Sequence, residues 1–383
     1  MKRLFSFLIL MPQLSFFRLD MYIVLLITLT IKNIKNIFYL DKLYLYLFIL
    51  FTIIMFLQVI FANTSLVIGS HTRYGEYREM DTFGYLSATG VFGAMNYIKI
   101  IVLLIFSSFI YKFLRQLTVF EIKNILLTIL YLSAIIQVLF YIFHILGILD
   151  FIITIFFTDN VRSDGSFAGA VTFREGLVRL SGGFSEPSML ALVYFIVISC
   201  LFTLIKSFDI KVSFTQKILV FLSWIIVFIT TLAYTHLVSL VVILLIVFNL
   251  KNILLNMYLA LIIFSVELIH YEYKDTIGLV GSSFTARLSW ATDISSLSLY
   301  QLLYGVELSN FYSFITSINF ILQLGIVGAM GFVFIIWIRF RSLQPMLLIF
   351  IVLFISPRLT DTWLYILFAL LLTINYKIKE KII

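Results

Sequence analysis

The segment 174–188 holds residue types suited to bind an anion and to accept a proton. Arg174 and Arg179 precede the string Leu-Ser-Gly-Gly-Phe-Ser, which leads directly to Glu186 and Pro187. A guanidinium binds phosphate or carboxylate through two parallel hydrogen bonds, and a helix N-terminus attracts negative charge. The pattern therefore predicts an anion site at the start of a helix, with Glu186 as a candidate base.

The same segment also has a purely structural interpretation. Ser185 is a good N-cap residue, Glu186 complements the positive end of a helix, and Pro187 suits the first helical turn. This interpretation explains the helix start, but it gives no reason for two arginines in front of a Gly-Gly pair. Both roles of Glu186 therefore stay open.

The amino-acid composition indicates that most of the chain is surrounded by lipid rather than by water. Of 383 residues, 62% are hydrophobic and only 12% are charged, and the mean hydropathy is +1.11. A water-soluble fold has about twice that share of charge, so a soluble enzyme is excluded. We expect an all-α polytopic membrane protein in a single domain, with the lipid bilayer as its main partner.

Continuous apolar runs predict the helices that cross the bilayer. Several runs are shorter than a full crossing needs, and the first and last pairs could be tilted or re-entrant, so we expect 10–12 transmembrane helices. The predicted spans are 4–17, 21–31, 43–62, 90–111, 125–149, 189–205, 218–233, 237–250, 253–269, 313–338, 346–355 and 362–376.

The distribution of basic residues predicts the orientation. With both termini in the cytoplasm, cytoplasmic segments carry 17 of the basic residues and external segments carry 9, as the positive-inside rule requires. Three long external loops result, at 63–89, 150–188 and 270–312. Long loops in compact proteins are usually functional, so we expect a multi-pass protein whose functional residues lie on the external side.

The type of basic residue also differs between the cytoplasmic and the external segments. Cytoplasmic positive charges are mostly lysine, whereas the external ones are one lysine and eight arginines. Charge alone does not distinguish the two residue types, so the pattern favours a phosphate ligand outside; pairing with external acids is the alternative. The arginines are Arg18, Arg73, Arg78, Arg162, Arg174, Arg179, Arg287 and Arg358.

The string from Arg179 to Pro187 resembles the R-x-S-G-x-x-x-E-P motif of O-antigen and capsule polymerases of the Wzy type, in the O-antigen ligase-polymerase superfamily. Thr235-His236 resembles the family's polar break between two short helices, with histidine where the family has arginine. Leu-Leu-Tyr304-Gly305-Val-Glu307 resembles its glycine pattern in the third loop, with glutamate at the second glycine.

The resemblance implies a GT-C-like membrane glycosyltransferase in the bacterial cytoplasmic (inner) membrane. Its substrates would be undecaprenyl-diphosphate-linked oligosaccharides of lipopolysaccharide or capsule biosynthesis. A growing glycan would pass from undecaprenyl diphosphate to a hydroxyl of another lipid-linked repeat unit. A chain-length regulator protein would be a further partner, and we expect no nucleic acid and no cofactor.

Residue roles follow from the resemblance together with the charge pattern. Arg179 and Arg287 would contact the diphosphate, and Glu186 would act as base or orient the acceptor; these three are the predicted catalytic residues. A buried helix contact is the alternative for His236, and a salt bridge with Asp361 is the alternative for Arg358. The predicted substrate-binding residues are Arg162, Arg174, His236, Tyr304, Glu307 and Arg358.

Metal-free chemistry is favoured because the sequence contains no Asp-x-Asp pair; the nearest match is Glu79-Met-Asp81.

An O-antigen ligase is an alternative function, and it would use the same donor with a different acceptor. A lipid-linked oligosaccharide flippase or transporter would need charged groups along the middle of many spans to carry a polar headgroup. Charges are nearly absent there, which favours a reaction at one face of the membrane.

Overall fold

A computed structural model describes residues 41–61, 82–149, 187–231, 299–305, 316–340 and 362–382, with the shorter pieces 10, 15–16, 19–20, 151–152, 171–174, 177–180 and 184. The chain divides into two compact units. The first comprises residues 1–34, 109–272 and 369–383, and the second comprises residues 35–108 and 273–368.

The described residues form eight helices and two short antiparallel strand pairs. The helices are α1 Lys42–Phe61, α2 Thr82–Arg115, α3 Val119–Ile145, α4 Pro187–Phe208, α5 Phe214–Thr231, α6 Leu299–Tyr304, α7 Thr316–Phe340 and α8 Thr362–Ile382. The strand pairs are β1 Ser15–Phe16 with β2 Leu19–Asp20, and β3 Val171–Arg174 with β4 Leu177–Leu180.

Three of the described helical segments are long and apolar enough to cross a membrane: Val119–Ile145, Met189–Phe208 and Phe214–Thr231. Two further apolar stretches, Lys42–Leu57 and Leu324–Ile338, are shorter. The helical membrane class predicted from the sequence is confirmed at this level, with three candidate spanning helices.

Local hydrogen bonds fix the starts of the helices in the first unit. At α3, Thr118 Oγ1 accepts from the amide of Glu121 at 3.3 Å, and Glu121 Oε2 accepts from the amide of Thr118 at 2.8 Å. At α5, Ser213 and Gln216 make the same reciprocal pair. These are capping boxes, which satisfy amides that the first helical turn leaves without partners.

Helices α3, α4 and α5 pack on one another in the first unit. Lipid is as apolar as leucine, so close packing and hydrogen bonds between helices hold such a bundle together, rather than the hydrophobic effect. The buried Tyr194 hydroxyl of α4 lies 2.8 Å from Ser223 Oγ of α5. Strand β4 contacts both α3 and α5, so the hairpin β3–β4 belongs to this unit.

Two kinds of contact join helices of the second unit: hydrogen bonds of a buried serine, and close packing of one helix against a glycine of another. Ser107 Oγ donates to the carbonyl of Tyr365 at 2.7 Å and lies 2.8 Å from the hydroxyl of Tyr44. These residues connect α1, α2 and the first turns of α8, and all three are buried. Helix α1 lies against α7, where a Cβ atom at Gly328 would come within 2.9 Å of Ile54 Cδ1.

Several element boundaries differ from the predicted ones. Helix α2 begins at Thr82 rather than 90, so the last part of the predicted first loop is helical. Hydropathy marks only the apolar part of a helix, and a helix continues beyond it while its backbone stays paired. Ser15–Phe16 is a strand inside the predicted span 4–17; Pro12 precedes it, and proline disfavours a continuing helix.

Candidate functional site

The predicted second loop contains a β-hairpin. The register pairs Val171 with Leu180, Thr172 with Arg179, Phe173 with Val178 and Arg174 with Leu177. Side-chain positions alternate between the two faces of a strand, and directly opposed residues share a face. Arg174 and Arg179 therefore belong to the same face of the hairpin.

The opposite face of the hairpin is apolar at every position and includes the buried Leu180. It holds Val171, Phe173, Val178 and Leu180 by register. Leu180 is fully buried, and Phe184, four residues further on, is 1% exposed. The hairpin is thus anchored on α3 and α5 through one face, and both arginines belong to the other.

The two arginines are neighbours on their face. Arg174 is opposite Leu177, and Arg179 is two residues beyond Leu177 on β4. Diagonal neighbours of this kind have Cα atoms roughly 7–8 Å apart. Within seven residues of Leu180 the chain enters α4, which begins at Pro187 as predicted.

The described part of the chain includes three of the predicted site residues. Arg174 and Arg179 lie on the hairpin of the first unit, and Tyr304 is the last residue of α6 in the second unit. Tyr304 is half-buried. The other predicted residues lie outside the described residues, and their roles stay predictions: Arg162, Glu186, His236, Arg287, Glu307 and Arg358.

The end of α6 is fixed by close backbone contact. Gly305 follows Tyr304 with a φ of 86°, and it is buried. It lies against Gly325, where α7 is interrupted by a non-helical residue with φ 67° and ψ 170°. A Cβ atom at Gly325 would collide with Leu303 O, Gly305 N and the carbonyl carbon of Tyr304.

A second polar cluster of the first unit lies where α2 and α8 end. Arg115 Nη2 donates to the Tyr376 hydroxyl at 2.6 Å, and the guanidinium carbon lies 3.8 Å from the centroid of that ring. Burial by itself lowers the pKa of Arg115, but the Tyr376 hydrogen bond and nearby negative potential raise it above the ordinary value overall.

The acid of this cluster is Glu380. Its hydrogen bond with Tyr376, together with Lys377 at 3.3 Å, holds the pKa of the Glu380 carboxyl below its usual value. Lys381 Nζ donates to the carbonyl of Ser207 at 2.7 Å, which ties the end of α8 to the end of α4. The ends of α2, α4 and α8 therefore meet in one basic cluster.

Two of these features were missed in the sequence. The hairpin has only a partial signal: Val-Thr-Phe-Arg alternates in polarity, whereas Leu-Val-Arg-Leu does not, and Gly176 between them is a residue that favours turns. The close contact of Gly325 with the end of α6 has a weaker signal, because a glycine inside an apolar helix often only permits close helix packing.

Among the described residues, no three His, Cys, Asp or Glu side chains group closely enough to hold a metal ion. Comparison with protein-family models, with curated proteins and with solved structures finds no match.

Proposed function

We propose that this protein is a polysaccharide polymerase that extends a glycan on the outer face of the bacterial cytoplasmic membrane. The observation that carries the proposal is the hairpin, which brings Arg174 and Arg179 to one face directly before the start of α4. Paired guanidinium groups bind phosphate oxygens well, so this pair of arginines suits the charge of a leaving lipid diphosphate.

The proposed reaction is a glycosyl transfer that needs no nucleotide. A hydroxyl of a lipid-linked repeat unit bonds to the anomeric carbon of the growing glycan, and the bond from that carbon to undecaprenyl diphosphate breaks. Glu186 accepts the hydroxyl proton. The lipid diphosphate leaves with the bonding electrons, so negative charge grows on its phosphate oxygens.

Arginine contacts stabilise that growing charge. A preorganised donor aimed at charge that develops in the transition state contributes about 3 kcal/mol in other enzymes. Arg179 and Arg287 would make the main contacts, and Arg162 and Arg174 would assist. No step requires a metal, because the guanidinium groups supply the positive charge.

The proposal includes a multi-pass arrangement of about twelve spans, GT-C-like, with both termini in the cytoplasm. The basic cluster supports it: the Arg115–Tyr376 and Lys381–Ser207 bonds bring together the ends of three helices, which are the ends predicted to be cytoplasmic. Reporter fusions at 175 and at 212 test this, since the first should report the external side and the second the cytoplasmic side.

The decisive experiment uses the purified protein in proteoliposomes with lipid-linked repeat units and no nucleotide. A polymerase yields a ladder of lipid-linked glycans of increasing length. Arg179→Ala should abolish the ladder, whereas Arg115→Ala, an arginine of the basic cluster, should retain it. A ladder of normal length from Arg179→Ala would refute the proposed site.

Gene deletion in the host separates the rival functions. Loss of a polymerase leaves surface glycans with a single repeat unit. Loss of a ligase leaves long glycans on the lipid diphosphate and none on the lipid acceptor. Loss of a flippase leaves single units on the cytoplasmic side of the membrane, so either of these last two results would replace the polymerase proposal.

A further inference from the structure

The second unit contains a helix that is interrupted within its apolar stretch. Helix α7 has 25 residues, and Gly325 breaks it nine residues after Thr316 with φ 67° and ψ 170°. This region of conformational space is almost restricted to glycine. Any other residue at this position would be strained even without neighbours.

The neighbours make the requirement for glycine stricter. The carbonyl of Leu303 and the amide of Gly305 occupy the space where a Cβ of residue 325 would lie. These are backbone atoms, so they cannot move aside as a flexible side chain would. Gly305 has a positive φ as well, and glycine in this conformation commonly ends a helix. We call this backbone contact of Gly305 with Gly325 the glycine seat.

The position of the seat along α7 gives its depth. In the twelve-span arrangement α7 crosses the membrane. With its two parts taken as collinear, its 25 residues extend over about 37 Å at 1.5 Å per residue, and the hydrocarbon core is about 30 Å thick. The break lies about 14 Å from the first residue of α7. Even if the whole excess of about 7 Å were on that side, the seat would lie about 7 Å inside the core.

We propose that α6 is a re-entrant segment, and that the glycine seat positions Tyr304 for the polymerase reaction proposed above. The segment enters from the external side and reaches the broken helix at membrane depth. Gly325 is then a positioning residue, since it acts through Tyr304 and does not itself touch the substrate.

The physical chemistry of the bilayer explains why the two features occur together. A broken helix exposes amides and carbonyls that lipid cannot satisfy, and irregular backbone at this depth persists only where protein or a water-filled cavity covers it. The end of α6 contacts both α7 and α1, and Leu324 beside the break is fully buried. The seat therefore both covers the break and fixes the end of α6.

The first experiment measures depth without measuring activity. In a Cys200→Ala background, a nitroxide is attached to a cysteine at Leu303 or, separately, at Val327, which is 44% exposed and lies two residues beyond the break. Collision with oxygen and with a water-soluble nickel chelate in proteoliposomes gives the depth of each label. The two depths should agree within one helical turn; a Leu303 label in the aqueous phase would overturn the re-entrant segment.

The second experiment removes the seat. Gly325→Ala should move the Leu303 label toward water and reduce polymerisation at least tenfold, mainly through a higher KM for the lipid-linked repeat unit. The matched control is Gly331→Ala in the same helix, where a Cβ would meet only the flexible Leu50 side chain at 3.1 Å. This control should stay within twofold of the unmodified protein.

The outcomes separate this inference from the proposed function on which it rests. A Gly325→Ala variant that moves the label but polymerises normally would overturn the positioning role. An equal loss in both glycine variants would show general destabilisation and also overturn it. If the unmodified protein makes no polymer, the proposed function fails, while the depth of the Leu303 label still decides whether α6 is re-entrant.

Discussion

Thr172 and Arg179 are directly opposed in the antiparallel pair of β3 and β4. This places Arg179 in a regular strand, although the sequence pattern predicts it in an irregular loop. A strand fixes the backbone on both sides of the residue and anchors it through the buried Leu180 on the other face. A backbone held in this way does not need to be ordered when a ligand binds, which lowers the entropic cost of binding.

The first prediction concerns the guanidinium group of Arg179. Arg179→Ala should reduce the polymerisation rate on the order of 10²–10³-fold, as the loss of one preorganised donor does in other enzymes. Arg179→Lys should also lower the polymerisation rate, by about tenfold or more, because a lysine ammonium lacks the planar fork that binds phosphate at two points. The rate of repeat-unit consumption in proteoliposomes measures this.

Arg115→Lys is the control for this pair of variants, since it makes the same change in the basic cluster. Its polymerisation rate should match that of the unmodified protein. Full activity of Arg179→Lys would show that the proposed two-point contact does not exist.

The second prediction concerns the anchor of the hairpin. Leu180 is fully buried, and truncating a buried leucine to alanine costs about 2–5 kcal/mol. Leu180→Ala should therefore loosen the hairpin and make the chain near residue 175 more sensitive to limited proteolysis. Leu299→Ala serves as the control, because Leu299 is 67% exposed and its truncation should change the cleavage rate little.

The third prediction concerns the hydrogen bonds of Ser107. Tyr44→Phe and Ser107→Ala should each lower the free energy of unfolding by about 1 kcal/mol. The two losses should not add, because the hydroxyls of these residues are partners. A double-mutant cycle in detergent measures the coupling, and strictly additive losses would contradict a direct contact.

The fourth prediction concerns pH. Glu380 has a lowered pKa in the folded protein, so its contribution to stability is fully present above its unfolded pKa. The contribution is lost as pH falls through the folded pKa. The difference in thermal midpoint between the unmodified protein and Glu380→Gln should therefore be largest near neutral pH and should shrink at acidic pH. A difference that grows on acidification would show that the shift has the opposite sign.

Seven of the eight described helices overlap spans predicted from the sequence, whereas the predicted spans 21–31, 237–250, 253–269 and 346–355 lie outside the described residues. Lipid imposes long apolar segments, and the start of α4 at Pro187 and that of α1 at Lys42 agree with the predicted positions within two residues. Segment ends outside the hydrocarbon core were less predictable. The helical residues 82–89 are not apolar enough for hydropathy to mark them, and the capping boxes of α3 and α5 start these helices several residues earlier than predicted.

The sequence by itself determined that the chain belongs in a membrane and that its arginines and lysines are unequally distributed, because both properties depend on composition and order alone. Tertiary structure decided which of those residues share a surface. Arg174 and Arg179 become neighbours only through strand register, and Gly305 meets Gly325 only because α6 packs on α7. Such contacts join residues distant in the chain, and the apolar pattern that specifies a membrane helix does not distinguish a continuous helix from one that a glycine interrupts.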